Sequence, residues 1–281
     1  MNLTDPETVR YLLSRHGFNF SRSMGQNFLV DSEIPEKIAD GALIDKKSGV
    51  LEIGPGIGCL TRELSERAGR TVAVELDRTL EELLEETLED CKNVRVVFTD
   101  ILKTDLHALV AEEFDGLTPC VCANLPYNIT TPVLTKLLES ELFDTVTVMI
   151  QKEVADRICA KAGTSEYGAF TLFVGWHCTV EKLFDAGPEC FMPKPKVTSS
   201  VIRMKKRTEK PCAVEDETKM FRIIRASFNM RRKTLVNGLK SIYPDKSKEE
   251  LAGIISSCGH KENIRGEMLT LGEFAAISDR L

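Results

Sequence analysis

The sequence predicts an α/β fold, an open and mostly parallel sheet with flanking helices, followed by a small all-helical C-terminal domain. Three observations carry this expectation. Short apolar, β-branched runs alternate with helical patterns between residues 49 and 204. A glycine-rich turn joins the first of those runs to a helix. Beyond about Lys205 no strand pattern recurs.

In chain order, Thr4-Asp5-Pro6-Glu7 opens a helix with a capping residue and a proline in its first turn, and Gly17 ends it. Residues 23–31 read by composition as a connector before a second helix over 32–43. Gly49 to Ile53 is a buried-type strand, Gly54-Pro55-Gly56-Ile57-Gly58 a turn, and Cys59 to Arg67 a helix with Leu60 and Leu64 on one face. Strands follow at Thr71–Val74, ending in Glu75, and at Val94–Phe98, ending in Thr99-Asp100. The next, Pro119–Ala123, breaks off at Asn124-Leu125-Pro126-Tyr127 before a helix near Thr130. Thr145–Ile150 is a fifth strand, with a helix including Glu153 to Cys159 after it. The apolar stretch Ala169–Cys178, with Phe170, Phe173 and Trp176, is read as core, and His177 as structural. Val180–Phe184 and Ser200–Met204 supply the last two strands. The expected division is therefore 1–204, with the helices and loop of 1–48 at its start, and 205–281, with helices at about 217–230, 233–241, 247–257 and 271–280.

With 42% hydrophobic residues the chain can bury a full core, and a net charge of -6 excludes a uniformly nucleic-acid-coating surface while allowing a local basic face. Nine cysteines without a Cys-x-x-Cys pair read as reduced thiols, Cys59, Cys120, Cys122 and Cys178 among them. Asp5, Glu7, Arg10 and Arg15 exclude a signal peptide, no apolar run suffices for a membrane span, and a cytoplasmic location is expected. No metal-ligand spacing occurs.

The chemistry gathers at strand ends, where ligands bind in open parallel sheets. Glycines at 54, 56 and 58 allow a ligand close to the backbone beside a helix N-terminus. Glu75 stands at the spacing where an acid accepts both hydroxyls of a ribose, and Asp100 can accept from an adenine amino group. The loop lacks the third glycine of a nicotinamide fingerprint, because Cys59 occupies that position, and Glu52 fits poorly beside a pyrophosphate. An adenosine without phosphates and with a cationic end satisfies all of this: S-adenosyl-L-methionine. Asn124 offers an amide oxygen, Leu125 a carbonyl that cannot pair with the nitrogen of Pro126, and Tyr127 an aromatic plane, a set suited to a flat base with an exocyclic amine.

Five segments, SMGQNFLVD (23–31), VLEIGPGIG (50–58), VELD (74–77), NLPYNI (124–129) and FMPKPKVTS (191–199), occur in the order of one family. The sequence resembles the ribosomal RNA adenine N6-dimethyltransferases, most closely those acting on bacterial small-subunit (16S) rRNA. The resemblance implies the Rossmann-like seven-stranded methyltransferase sheet and dimethylation of two adjacent adenosines in a hairpin near the 3′ end of 16S rRNA during small-subunit biogenesis. It implies that Asn27 and Leu29 help enclose the cofactor, that Gly54 and Gly56 lie against it, that Glu75 holds the ribose and Asp100 the adenine, and that Asn124 closes the site. Two alternatives are a large-subunit rRNA adenine N6-methyltransferase of the macrolide-resistance type and a largely non-catalytic assembly factor. Nothing in the sequence demands more than a monomer.

The N6 amine of adenine is a weak nucleophile because its lone pair is delocalised into the ring. Acceptors at Asn124 and Leu125 would stabilise charge developing on that nitrogen, with no metal needed. The base must leave its stack, so Tyr127 is expected to hold one face and Phe191 the other. The basic set Lys194, Lys196, Arg222, Arg225, Arg231, Arg232 and Lys233 is expected to contact RNA phosphates.

Overall fold

A computed structural model describes residues 1–17 and 27–281. Among the described residues nine strands are formed: β1 (Phe28–Leu29), β2 (Ser48–Ile53), β3 (Arg70–Glu75), β4 (Val94–Phe98), β5 (Thr118–Asn124), β6 (Thr145–Gln151), β7 (Cys178–Ala186), β8 (Phe191–Met192) and β9 (Ser199–Lys206). Seven of them make one sheet in the order β4-β3-β2-β5-β6-β9-β7, and β1 pairs with β8 separately. Neighbours from β4 through β6 are parallel, and β9 runs antiparallel to β6. From β2 the chain moves outward to β3 and β4, then returns to the other side of β2 with β5. That reversal leaves a crevice at the strands' C-terminal ends, the place where open sheets bind ligands.

The helices are α1 (Pro6–Arg15), α2 (Glu33–Gly41), α3 (Cys59–Arg67), α4 (Glu81–Thr87), α5 (Leu106–Glu113), α6 (Thr130–Glu139), α7 (Lys152–Ile158), α8 (Ala169–His177), α9 (Glu217–Asn229), α10 (Leu235–Ile242), α11 (Lys248–Ser257) and α12 (Leu271–Ser278). Helix α1 is capped by Asp5, whose carboxylate accepts from the Thr8 amide at 2.8 Å, with Pro6 as its first residue. Gly17 follows it with φ of 65°. On one face of the sheet, Val50, Cys120, Cys122, Met149 and Val201 pack against Ile34 and Ile38 of α2 and Leu60 and Leu64 of α3. Alternation along β5 puts Cys120 and Cys122 on the same face, where they serve as small apolar side chains. None of the nine cysteines is joined in a disulfide.

The chain divides into two compact units, Met1–Ala155 with Val180–Lys206, and Asp156–Thr179 with Arg207–Leu281. The sheet unit ends with β9, whereas residues 156–179, expected with the first domain, group with the helical unit. The cause is α8, which is apolar nearly all round and requires cover on several sides. Its Leu172 and Trp176 are buried with Phe221, Ile223 and Leu239 of the C-terminal helices. Trp176 meets Phe221 edge to face at 5.9 Å, and the Tyr167 hydroxyl donates to the Leu269 carbonyl at 2.7 Å. Reading Ala169–Cys178 as core was correct in kind; the core it serves is the other one.

Candidate active site

The C-terminal ends of β2, β3, β4 and β5 open into one cleft within the sheet unit. Asn27, Leu29, Gly54, Gly56, Glu75, Asp100, Asn124, Leu125 and Tyr127 all line it. Nine positions scattered over a hundred residues of chain thus converge because each follows a parallel strand or covers its end.

Asn124 is the last residue of β5, in register with Met149 of β6. One residue on, the Leu125 amide donates to the Met149 carbonyl at 3.1 Å, which pins the turn to the sheet. The Pro126 carbonyl then accepts from the Ile129 amide at 3.2 Å and from Thr130 Oγ1 at 3.1 Å as α6 begins. These bonds hold the turn without using the Leu125 carbonyl or the Asn124 amide, for which no partner is found among the described residues. Two neutral acceptors are therefore left over at the cleft. Tyr127 lies beside them with its hydroxyl 2.6 Å from Ser199 Oγ. Burial raises its phenol above the ordinary value, so the ring stays neutral.

Across the cleft the glycine turn holds Gly54 at φ 70° and Gly56 at φ 60°, a backbone region that side chains resist. The Gly54 amide donates to the Val74 carbonyl at 2.9 Å, and a β-carbon at this position would stand 3.5 Å from the Pro126 ring. The cofactor loop and the acceptor turn consequently approach each other closely. Glu75 ends β3 buried, one carboxylate oxygen accepting from the Asp77 amide at 2.8 Å, and burial raises its carboxyl above the usual range. Asp100 accepts from the Leu102 amide at 2.9 Å, which shapes the turn after β4.

Among the lining residues outside the candidate set, Leu76 and Glu52 bear on what the cleft can hold. Leu76 is 59% exposed yet borders the cleft, so it supplies apolar surface of the kind a purine ring would cover. Glu52 is 1% exposed; burial pushes its carboxyl up to about 8 against the opposing effect of the Thr61 hydroxyl beside it, and its Oε2 makes no well-formed hydrogen bond. A buried carboxylate oxygen without a well-formed hydrogen bond beside a cleft calls for a cation. The ammonium and sulfonium of S-adenosylmethionine fit that demand, whereas a pyrophosphate would be repelled. The signal available in the sequence was an acid two residues before the first glycine.

Phe191 requires a correction. It is 1% exposed, pairs through its backbone with Leu29, and packs in the core with Leu29, Ile34 and Met149 rather than lining the cleft. A phenyl ring in an apolar sequence context was drawn into that core by burial, and it offers the cleft no face. The basic candidates also separate. Lys194, Lys196, Arg222, Arg225, Arg232 and Lys233 are exposed. Arg231 instead bonds Glu267 through Nε at 2.9 Å and the Ser165 carbonyl through Nη2 at 2.5 Å, tying together segments of the helical unit. Residues 23–26 of the N-terminal motif lie outside the described residues. Among the described residues no group of three or more His, Cys, Asp or Glu is arranged for a metal, and no helix is long and apolar enough to cross a membrane.

Residues 17–276 match the family model of ribosomal RNA adenine dimethylase. The chain belongs to this family. It is accordingly an S-adenosylmethionine-dependent methyltransferase of the Rossmann-like class. Among curated relatives, a ribosomal RNA small subunit methyltransferase A of Geobacillus thermodenitrificans is 45% identical over all of this chain and 97% of its own length. One of the same name from Alkaliphilus metalliredigens is 43% identical over 98% and 96%. Among solved structures, a dimethyladenosine transferase from Plasmodium falciparum superposes with a TM-score of 0.73 at 26% identity, covering 89% of this chain and 95% of its own. The 23S rRNA methyltransferase ErmE gives 0.70 at 25% identity, covering 91% and 99%. The two structures resemble this chain about equally, so the likeness of fold by itself singles out no substrate. Full-length identity of 43–45% to the small-subunit enzymes is the sharper difference.

Proposed function

We propose that this enzyme transfers methyl groups from S-adenosylmethionine to N6 of two adjacent adenosines in a hairpin near the 3′ end of 16S rRNA, acting as a cytoplasmic monomer on a small-subunit precursor. The observation that carries the reading is the pair of uncommitted neutral acceptors, Asn124 and the Leu125 carbonyl, facing a cleft whose other wall carries buried carboxyls. S-adenosylmethionine, when bound, supplies an electrophilic methyl on a good leaving group. Glu75 would hold its ribose, Asp100 its adenine and Glu52 its cationic end, while Asn27, Leu29, Gly54 and Gly56 enclose it.

The target amine has two hydrogens. Asn124 Oδ1 and the Leu125 carbonyl would each accept one, drawing the nitrogen out of conjugation and stabilising the positive charge it gains on attack. Neither acceptor titrates near neutrality, so neither removes the proton prematurely. Tyr127 would stack on the flipped base, its ring held by Ser199. Lys194, Lys196, Arg222, Arg225, Arg232 and Lys233 would supply salt-sensitive phosphate contacts, and Arg231 would order the segments beside them. The discriminating experiment is transfer of radiolabelled methyl to small subunits lacking the modification, with large-subunit RNA in parallel. Label in two adjacent 16S adenosines is expected; label only in large-subunit RNA, or none, would overturn the proposal.

A further inference from the structure

We infer that Ser199 is a positioning residue for methyl transfer, anchoring the far end of the Tyr127 ring beside the acceptor turn through the hydrogen bond between their hydroxyls. The inference rests on the reading of Tyr127 as the stacking surface for the target base. Ser199 is fully buried as the first residue of β9, where it stands opposite Gln151 of β6. Its Oγ lies 2.6 Å from the Tyr127 hydroxyl, and that contact is the only partner recorded for either hydroxyl among the described residues. The strand that carries it is anchored along its length by the β6 pairing, and the Thr198 carbonyl next to it accepts from the Lys152 amide at 2.9 Å.

The acceptor turn is thus held at two points by neighbouring strands. Its backbone is held at the Leu125 amide by the Met149 carbonyl of β6, and its aromatic side chain is held at the phenol by Ser199 of β9. Met149 and Gln151 lie two residues apart on one strand, so both points belong to one rigid frame. A tyrosine ring has two free torsions; a hydrogen bond at the phenol oxygen, which lies on the axis of the second, restrains the first and so fixes where the ring stands. The stacking surface is then already in place when the base arrives, which lowers the entropy lost on forming the reactive complex. A phenylalanine could offer the same surface, without this restraint.

The test is a double-mutant cycle with Ser199→Ala and Tyr127→Phe, measuring methyl transfer to unmodified small subunits and cofactor affinity by calorimetry. Each single change is expected to lower kcat/KM for RNA by about five-fold or more, the worth of one buried hydrogen bond, with S-adenosylmethionine affinity unchanged. The double variant should lose no more than either single, and Ser199→Thr should recover part of the loss. Additive losses, or Ser199→Ala with wild-type kcat/KM, would overturn the role of Ser199. Tyr127→Ala separates this from failure of the underlying reading: a much larger loss than Tyr127→Phe keeps the stacking assignment, and wild-type transfer by Tyr127→Ala would end it. Loss of cofactor affinity in Ser199→Ala would instead mark a general distortion of the cleft and would also count against the inference.

Discussion

The two walls of the cleft handle charge in opposite ways. The cofactor wall buries carboxyls, Glu52 and Glu75, both raised by desolvation. The acceptor wall presents an amide oxygen and a backbone carbonyl, which carry no charge at any working pH. In the proposed function Glu75 takes the neutral ribose and Glu52 the cationic end, and a permanent cation is best held by full negative charge, even at a cost in desolvation. A nitrogen that becomes positive only during reaction is better met by dipoles that cannot take its proton. The difference teaches that each wall matches the timing of the charge it faces.

The sharpest way to break this contrast is Asn124→Ala. It should reduce kcat by about 10²- to 10³-fold, as loss of one preorganised electrostatic partner does, while calorimetry still detects cofactor binding. Turnover near wild type would remove Asn124 from its role. Next in size, Glu75→Ala should weaken cofactor affinity by about 10- to 100-fold through loss of charge-assisted hydrogen bonds, and leave kcat at saturation less affected. A wild-type dissociation constant would count against the ribose assignment.

Glu52 gives a prediction with opposite signs for stability and binding. With its carboxyl near 8 when folded and 4.5 as the reference, the folded state holds more protons than the unfolded one between those pH values. Stability contributed by this group is therefore full below about 4.5 and declines as pH rises towards 8. Glu52→Gln should raise the melting temperature of the cofactor-free protein at pH 7 to 8, with little change near pH 4.5, and should weaken cofactor binding. Calorimetry in buffers of different ionisation enthalpy should show proton release on binding to the wild type at pH 7 and none with the variant. The smallest effects separate two adjacent arginines. Arg231→Ala should lower stability by about 1 kcal/mol, because its pairing with Glu267 is partly exposed and screened. Arg232→Ala should leave the melting temperature alone and reduce the salt dependence of RNA binding by about one unit of slope.

Most of the sheet was legible because its strands are short apolar runs with abrupt polar ends, and a parallel sheet aligns those ends in space. Glu75, Asp100 and Asn124 could be recognised singly and then had to converge. What could not be read depended on packing. Whether an aromatic ring faces a ligand or a core is decided by which neighbours close over it; Phe191 and Tyr127 look alike in sequence, and only Tyr127 has a polar group that needs a buried partner. Arg231 and Arg232 are equally indistinguishable until Glu267 and the Ser165 carbonyl reach one of them. Glu52 was visible, but its significance lay in an oxygen with no well-formed hydrogen bond, which is a property of the fold alone.

The chain leaves the sheet unit after Ala155, contributes α8 to the helical unit, and rejoins the sheet unit at Val180, within β7. This has a consequence during synthesis. The apolar surface around Trp176 emerges before any of the residues 217–278 that will cover it, so a nascent chain carries an open hydrophobic face until its last helices leave the ribosome. A truncation after Lys206 would retain the whole methyl-transfer cleft and every strand of the sheet, yet it would display that face permanently. Such a fragment should aggregate, and restoring its solubility should require removing the apolar side chains of α8 rather than any change near the active site.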